Sequence, residues 1–163
     1  MKKNFTTSLL NIVLIFGIIV TLLICLGAPF ILGAVFKVQE LPLDNTSMFY
    51  SILIVFYICA APYIIALFKL RTLTGLVLKN TPFTKKSVNA LRTIAICSFS
   101  ELILFILGAN IVKHMFDEFS GILLTPPIII IGFMCILLGL MFITLAKLFN
   151  NAIELKEEND MTI

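Results

Sequence analysis

Tryptophan is absent from this chain, histidine occurs once, and charged residues fill only 13% of its 163 positions. A soluble domain carries about a quarter of its residues as charge, so the shortage excludes a water-exposed globular enzyme and a charge-rich disordered chain. Cysteine is scarce as well. Cys25, Cys59, Cys97 and Cys135 each fall in a different apolar run, with no CxxC pair and no Cys/His cluster. That spacing excludes a disulfide-stapled secreted module and argues against zinc or thioredoxin-like redox chemistry. The four are expected to pack as small apolar side chains between helices. HExxH, GxSxG, P-loop and GxGxxG patterns are all missing, so the chain is read as a non-enzyme with no catalytic residue, cofactor or metal ligand. Without tryptophan, aromatic anchoring at a membrane interface falls to Tyr and Phe, with Phe49 and Tyr50 the candidates.

What the chain does have is apolar length. Hydrophobic residues make up 60% of it, and mean hydropathy is +1.11. Runs free of charge cover Asn4–Phe36, Asn45–Phe68 and Phe119–Ala146, and Thr93–Val112 is broken only by Glu101. About 20 apolar residues cross a hydrocarbon core about 30 Å thick. The expected fold is therefore all-α: a single-domain polytopic membrane protein over residues 1–163, a four-helix bundle with spans at about 8–35, 46–68, 93–112 and 127–147. The first run is long enough that it must tilt or protrude, with a kink expected at Pro29. It exceeds the usual h-region of a signal peptide and lacks a convincing cleavage pattern, so an uncleaved span is expected. Pro126-Pro127 suits the start of the fourth helix.

The net charge of +3 says little, but its distribution says more. Segment 69–92 carries Lys69, Arg71, Lys79, Lys85, Lys86 and Arg92 with no acid, whereas 37–44 and 113–118 each hold one Lys and two acids. The six-base segment is expected in the cytoplasm, which places both termini there too. Direct nucleic-acid binding is not expected, because the same bases set topology and lie against anionic lipid.

Three helices are expected to outrun the membrane on that side. Beyond Phe68 an apolar stripe continues to Lys79, Asn80-Thr81-Pro82 reads as a turn, and Thr84 suits a helix N-cap with Phe83 stapling toward Val88. This cytoplasmic hairpin spans 69–92. The fourth helix continues over 148–163, with Leu148, Ala152 and Leu155 on one face and Phe149 and Ile153 on another. Glu157, Glu158 and Asp160 then make an acidic end that either docks on the basic hairpin or stays solvated. Pro82, Phe83, Lys85, Lys86, Glu157, Glu158, Asn159 and Asp160 are the candidate partner-binding residues.

Glu101 is the chemically telling residue. It lies nine residues after Arg92, about 13.5 Å along a helix and near mid-membrane, where an acid is costly and faces the bundle interior. Cys97, Ser98 and Gly108 share its face. An unpaired carboxyl there is expected to hold its proton and to bond another span. Asn11, Tyr57 and Tyr63 are proposed at matching depth, with Ser98 completing an intramembrane polar site. A structural hydrogen bond, proton coupling, cation binding and ligand recognition all remain open. His114 lacks companions for a metal site and is read as interfacial. Gly132 and Gly139 form a seam, within the bundle or between copies of the chain.

Two segments carry a resemblance. Asn80-Thr81-Pro82-Phe83-Thr84 leading into Asn89-Ala90-Leu91-Arg92-Thr93-Ile94, and the ending Glu154-Leu155-Lys156-Glu157-Glu158-Asn159-Asp160-Met161-Thr162-Ile163, resemble the bacterial four-span family DUF2975, of unknown function. Met161 stands where the family more often has leucine. The resemblance implies residence in the bacterial cytoplasmic membrane. It also implies a partner, because members are often encoded beside a small helix-turn-helix regulator. It supplies no catalytic residues.

The functional expectation is an integral membrane adaptor or sensor that binds a cytoplasmic transcription regulator. The alternative is a small oligomeric transporter or channel component, or an immunity or resistance protein, working through Glu101. Expected partners are membrane lipid, that regulator and further copies of the chain.

Overall fold

A computed structural model describes residues 5–38, 46–79, 81–115 and 126–160. Four helices fill them: α1 (Phe5–Val38), α2 (Thr46–Leu78), α3 (Lys85–Met115) and α4 (Pro126–Asp160). No strand occurs among the described residues. At 1.5 Å per residue the helices are about 47–53 Å long, well beyond a core of about 30 Å. All four are long and apolar enough to cross a membrane. The molecule is an all-α, multi-pass membrane protein. Its α1 continues through Pro29, and α2 through Pro62. The fourth helix starts at the Pro126-Pro127 pair, where a missing N–H is no loss because first-turn donors lack intrahelical partners anyway.

The helices pack in chain order, α1 on α2, α2 on α3 and α3 on α4. Close approach in the apolar part depends on glycine. A Cβ at Gly108 would come 2.5 Å from Cγ1 of Val55 on α2, and one at Gly139 would come 2.7 Å from Cζ of Phe99 on α3. At Gly132 it would meet Leu102 at 3.2 Å. The Gly132/Gly139 seam of α4 thus faces α3 of the same chain. Leu14, Ile18 and Met48 are buried, but many of the large apolar side chains in this part point outward, as at Leu26 (74% exposed) and Phe30 (82%). In water such surface would drive association, whereas lipid tails are as apolar as leucine and leave it satisfied.

The α2–α3 turn is held by backbone and hydroxyl bonds. Thr81 donates its N–H to Leu76 O at 3.0 Å, Lys79 to Gly75 O at 3.2 Å, and Thr84 to Pro82 O at 3.2 Å. Thr84 is the N-cap of α3. Its Oγ1 accepts from Ser87 N at 3.3 Å, and its carbonyl accepts from Ser87 N and Val88 N at 2.9 and 3.2 Å. One orphan donor at the helix start is thereby satisfied.

At this turn end the molecule has a buried apolar core. Val88 and Leu91 of α3 meet Ala146 and Ile153 of α4, with Leu73 of α2 and Phe142, Leu145 and Phe149 of α4 around them. Leu91 is 1% exposed and Ser87 fully buried. The Phe83 ring lies on Phe149, centroids 5.0 Å apart, so the expected staple residue reaches across to α4. Lys85 Nζ stands 3.9 Å from Glu157 Oε1, with both side chains largely exposed. The α4 extension is therefore docked on the hairpin mainly through apolar contact, because an exposed pair of this kind contributes little.

Candidate functional site

Two places collect the polar residues singled out by the sequence. The first is a cleft of about 390 Å³ between α1, α2 and α3. Each helix offers it a pair one turn apart: Thr21 and Cys25 from α1, Cys59 and Tyr63 from α2, Glu101 and Phe105 from α3. That spacing puts both members of a pair on one helix face. Ile24, Phe56 and Ala60 complete the apolar wall. Tyr63 and Ile24 are about half exposed and Phe56 more than a third, so the cleft opens sideways onto the lipid-facing surface.

Among the described residues, Glu101 provides the only carboxyl or basic side chain of this lining. Its Oε2 is shielded from solvent and accepts no hydrogen bond from the described residues. Cys59, Cys97 and Cys135, from three different helices, lie within electrostatic range of the carboxyl. Three hydroxyls nearby are engaged elsewhere. Thr21 Oγ1 donates to Gly17 O at 2.8 Å, and Ser98 Oγ donates to Ile94 O at 3.0 Å. The Tyr57 hydroxyl donates to the Cys25 carbonyl at 2.8 Å, tying α2 to α1 just beside the cleft.

Of the five residues proposed for an intramembrane polar site, Glu101 and Tyr63 share the cleft and Tyr57 borders it. Ser98 bonds within its own helix. Asn11 lies ten residues before Thr21, about 15 Å away along α1, and is not part of the lining. Thr21, Cys25, Cys59 and Phe105 were not foreseen, although their i,i+4 pairing stands in the sequence. A second, wholly apolar groove runs from this cleft along α1 and α2. Ile24 and Phe56 line both spaces, and Ala28, Val35 and Ile52 extend the groove.

The second place is the turn end. Pro82 and Phe83 sit in the turn that leads into α3, and Lys85 and Lys86 are exposed on its first turn. Glu157, Glu158 and Asn159 are exposed near the end of α4. The hairpin and the α4 end are brought together by the Phe83–Phe149 contact and the Lys85–Glu157 pair. The side chains of Asp160 and His114, together with Asn80 and Met161–Ile163, lie outside the described residues. Beside this docked pair, Leu148 (58% exposed) and Leu155 (66%) point away from the core. They are seven residues apart and so nearly on one face. Among the described residues, no group of three or more His, Cys, Asp or Glu is placed to hold a metal ion.

Comparison with known proteins follows the same outline. The profile of the family described as "Protein of unknown function (DUF2975)" matches residues 33–163. The chain is 29% identical over 150 residues to the "Uncharacterized membrane protein YoaS" of Bacillus subtilis (strain 168), an alignment covering 86% of this chain and 92% of that protein. No solved structure matches.

Proposed function

From the premise that the chain belongs to the DUF2975 family, we propose that it is a non-enzymatic membrane adaptor or sensor that presents a three-helix platform to a soluble protein. The observation that carries this reading is the position of the buried apolar core. Val88, Leu91 and Ile153 pack together at the turn end, on stretches of α2, α3 and α4 that outrun the bilayer by about 12–20 Å if the spans end near Phe68, Thr93 and Lys147. A bundle that only crossed lipid would have no need of a buried core there. In this reading the platform faces the cytoplasm of a bacterial cell, with both termini on the same side, because the six bases of 69–92 are retained inside.

The surface left for a partner combines Lys85 and Lys86 with the exposed Leu148 and Leu155. Since Glu101 and Leu91 lie on the same helix, a repacking of α3 at the cleft would move the platform, and this is the proposed route of sensing. A small transcription regulator, such as the resemblance implies, is the proposed partner. The test is isolation from native membranes in mild detergent followed by mass spectrometry, against a variant carrying Lys85→Gln, Lys86→Gln, Leu148→Gln and Leu155→Gln. A soluble regulator held by the native chain and lost by the variant supports the reading. Identical co-purifying proteins from both would contradict it.

The Glu101 cleft favours a second reading, an oligomeric transporter or channel component or a resistance protein. Ion flux in proteoliposomes that disappears with Glu101→Gln would support it over the adaptor.

A further inference from the structure

We infer that the cleft around Glu101 is a binding site for a lipophilic ammonium compound entering from the bilayer. Three observations converge on that chemistry. Glu101 Oε2 is shielded and makes no hydrogen bond with the described residues, although a buried carboxyl oxygen is costly to leave without a donor. Among the described residues no Lys, Arg or His lines the cleft, so the carboxyl has no basic partner there. Its surroundings are aromatic, with Phe56, Tyr63 and Phe105 on the walls. A lone carboxyl among aromatic faces suits an alkyl- or arylammonium group: as the cation binds, the carboxyl releases its proton to water, an N–H donor meets the resulting carboxylate, and the rings attract the cation.

Size and access agree. A volume of about 390 Å³ lies within the range of small-molecule sites, which combine an apolar lining with a few convergent polar groups. The mouth opens on the lipid-facing side, where Tyr63 and Phe56 are partly exposed. Apolar substituents of the ligand have a path along the α1–α2 groove, which begins at the shared residues Ile24 and Phe56. The assignment stands independently of the adaptor reading, since the platform and the cleft are separate parts of the molecule. It holds with or without flux.

The test uses 9-aminoacridine, a cationic aromatic ring with N–H donors at neutral pH, and acridine, its uncharged analogue. Binding is measured by fluorescence in phosphatidylcholine nanodiscs carrying the full chain, against empty discs. The expected result is saturable binding of 9-aminoacridine to the native protein, weakened about tenfold or more by Glu101→Gln, with acridine bound weakly by both. Binding no stronger than to empty discs, equal binding to native and Glu101→Gln proteins, or native binding of acridine as tight as that of 9-aminoacridine would each overturn it. Helical content is checked by circular dichroism. If Glu101→Gln does not fold, Ala60→Phe, which fills the cleft from α2, decides instead: lost binding supports the site and unchanged binding overturns it. Partner capture plays no part in these outcomes, so failure here leaves the adaptor reading standing on its own test.

Discussion

The turn end and the apolar middle of this molecule use the same kinds of side chain in opposite ways. At the turn end, Val88, Leu91 and Ile153 turn inward and are buried. In the middle, leucines and phenylalanines turn outward, and the helices touch through Gly108 and Gly139. On the proposed reading, in which the turn end stands outside the bilayer, the difference follows from the medium. Water expels apolar surface and drives large side chains into a core. Lipid exerts no such force between helices, so close association there depends on small residues that let backbones approach. Stability should therefore be concentrated at the turn end, with the middle looser around its cleft.

The largest expected effect comes from emptying the core at the turn end. Leu91→Ala removes a side chain 1% exposed and should destabilise by about 2–5 kcal/mol, read as a fall in thermal midpoint in detergent. Leu26→Ala, at a 74% exposed position, should change the midpoint little. Equal effects at both sites would break the comparison.

Next comes overpacking in the middle. In Gly108→Ala the new methyl would meet a γ-carbon of Val55 at 2.5 Å. A β-branched side chain in a helix has little freedom to turn aside, so a loss of about 1–3 kcal/mol is expected. Gly17→Ala, which meets nothing within 4 Å, should instead gain up to about 1 kcal/mol from helix propensity. The same melting measurement reads both.

A smaller loss, about 1 kcal/mol, is expected for Thr84→Ala, because Ser87 N loses the cap at 3.3 Å. Hydrogen exchange should localise the change to the first turn of α3. The smallest effect belongs to Lys85→Gln or Glu157→Gln. Their pair spans 3.9 Å between exposed side chains, and its loss should shift stability by less than about 1 kcal/mol and less still at high salt. A larger loss would mean that charge, and not Phe83 on Phe149, holds the α4 extension down.

Much of this was legible in the sequence, for physical reasons. Charge-free runs reveal spans because a charge is expensive in hydrocarbon, and one long helix lies along each of them. The cap at Thr84 was legible because it depends on local chain chemistry alone. What faces what was less so. Glycine spacing in α4 marks a seam without naming its partner, and only the packed helices show Phe99 and Leu102 against it. Depth was the weakest inference. Counting residues from the nearest charge placed Asn11 with Glu101, but α1 presents Thr21 and Cys25 at that level, because long helices slide along one another by amounts their composition does not record. The missed residues carried a signal nonetheless: Thr21/Cys25, Cys59/Tyr63 and Glu101/Phe105 are each four apart.

The central claim, a packed platform standing outside the bilayer on the cytoplasmic side, is tested most directly by cysteine accessibility. Cys25, Cys59, Cys97 and Cys135 are replaced by alanine, and single cysteines are introduced at Lys86, Asn151 or Ile103. These are exposed in the fold but differ in expected surroundings. A membrane-impermeant maleimide should label positions 86 and 151 only after the cells are opened, and 103 not at all. Labelling of 86 and 151 in intact cells would invert the orientation, and failure to label them in opened cells would place the platform within the membrane and contradict the account.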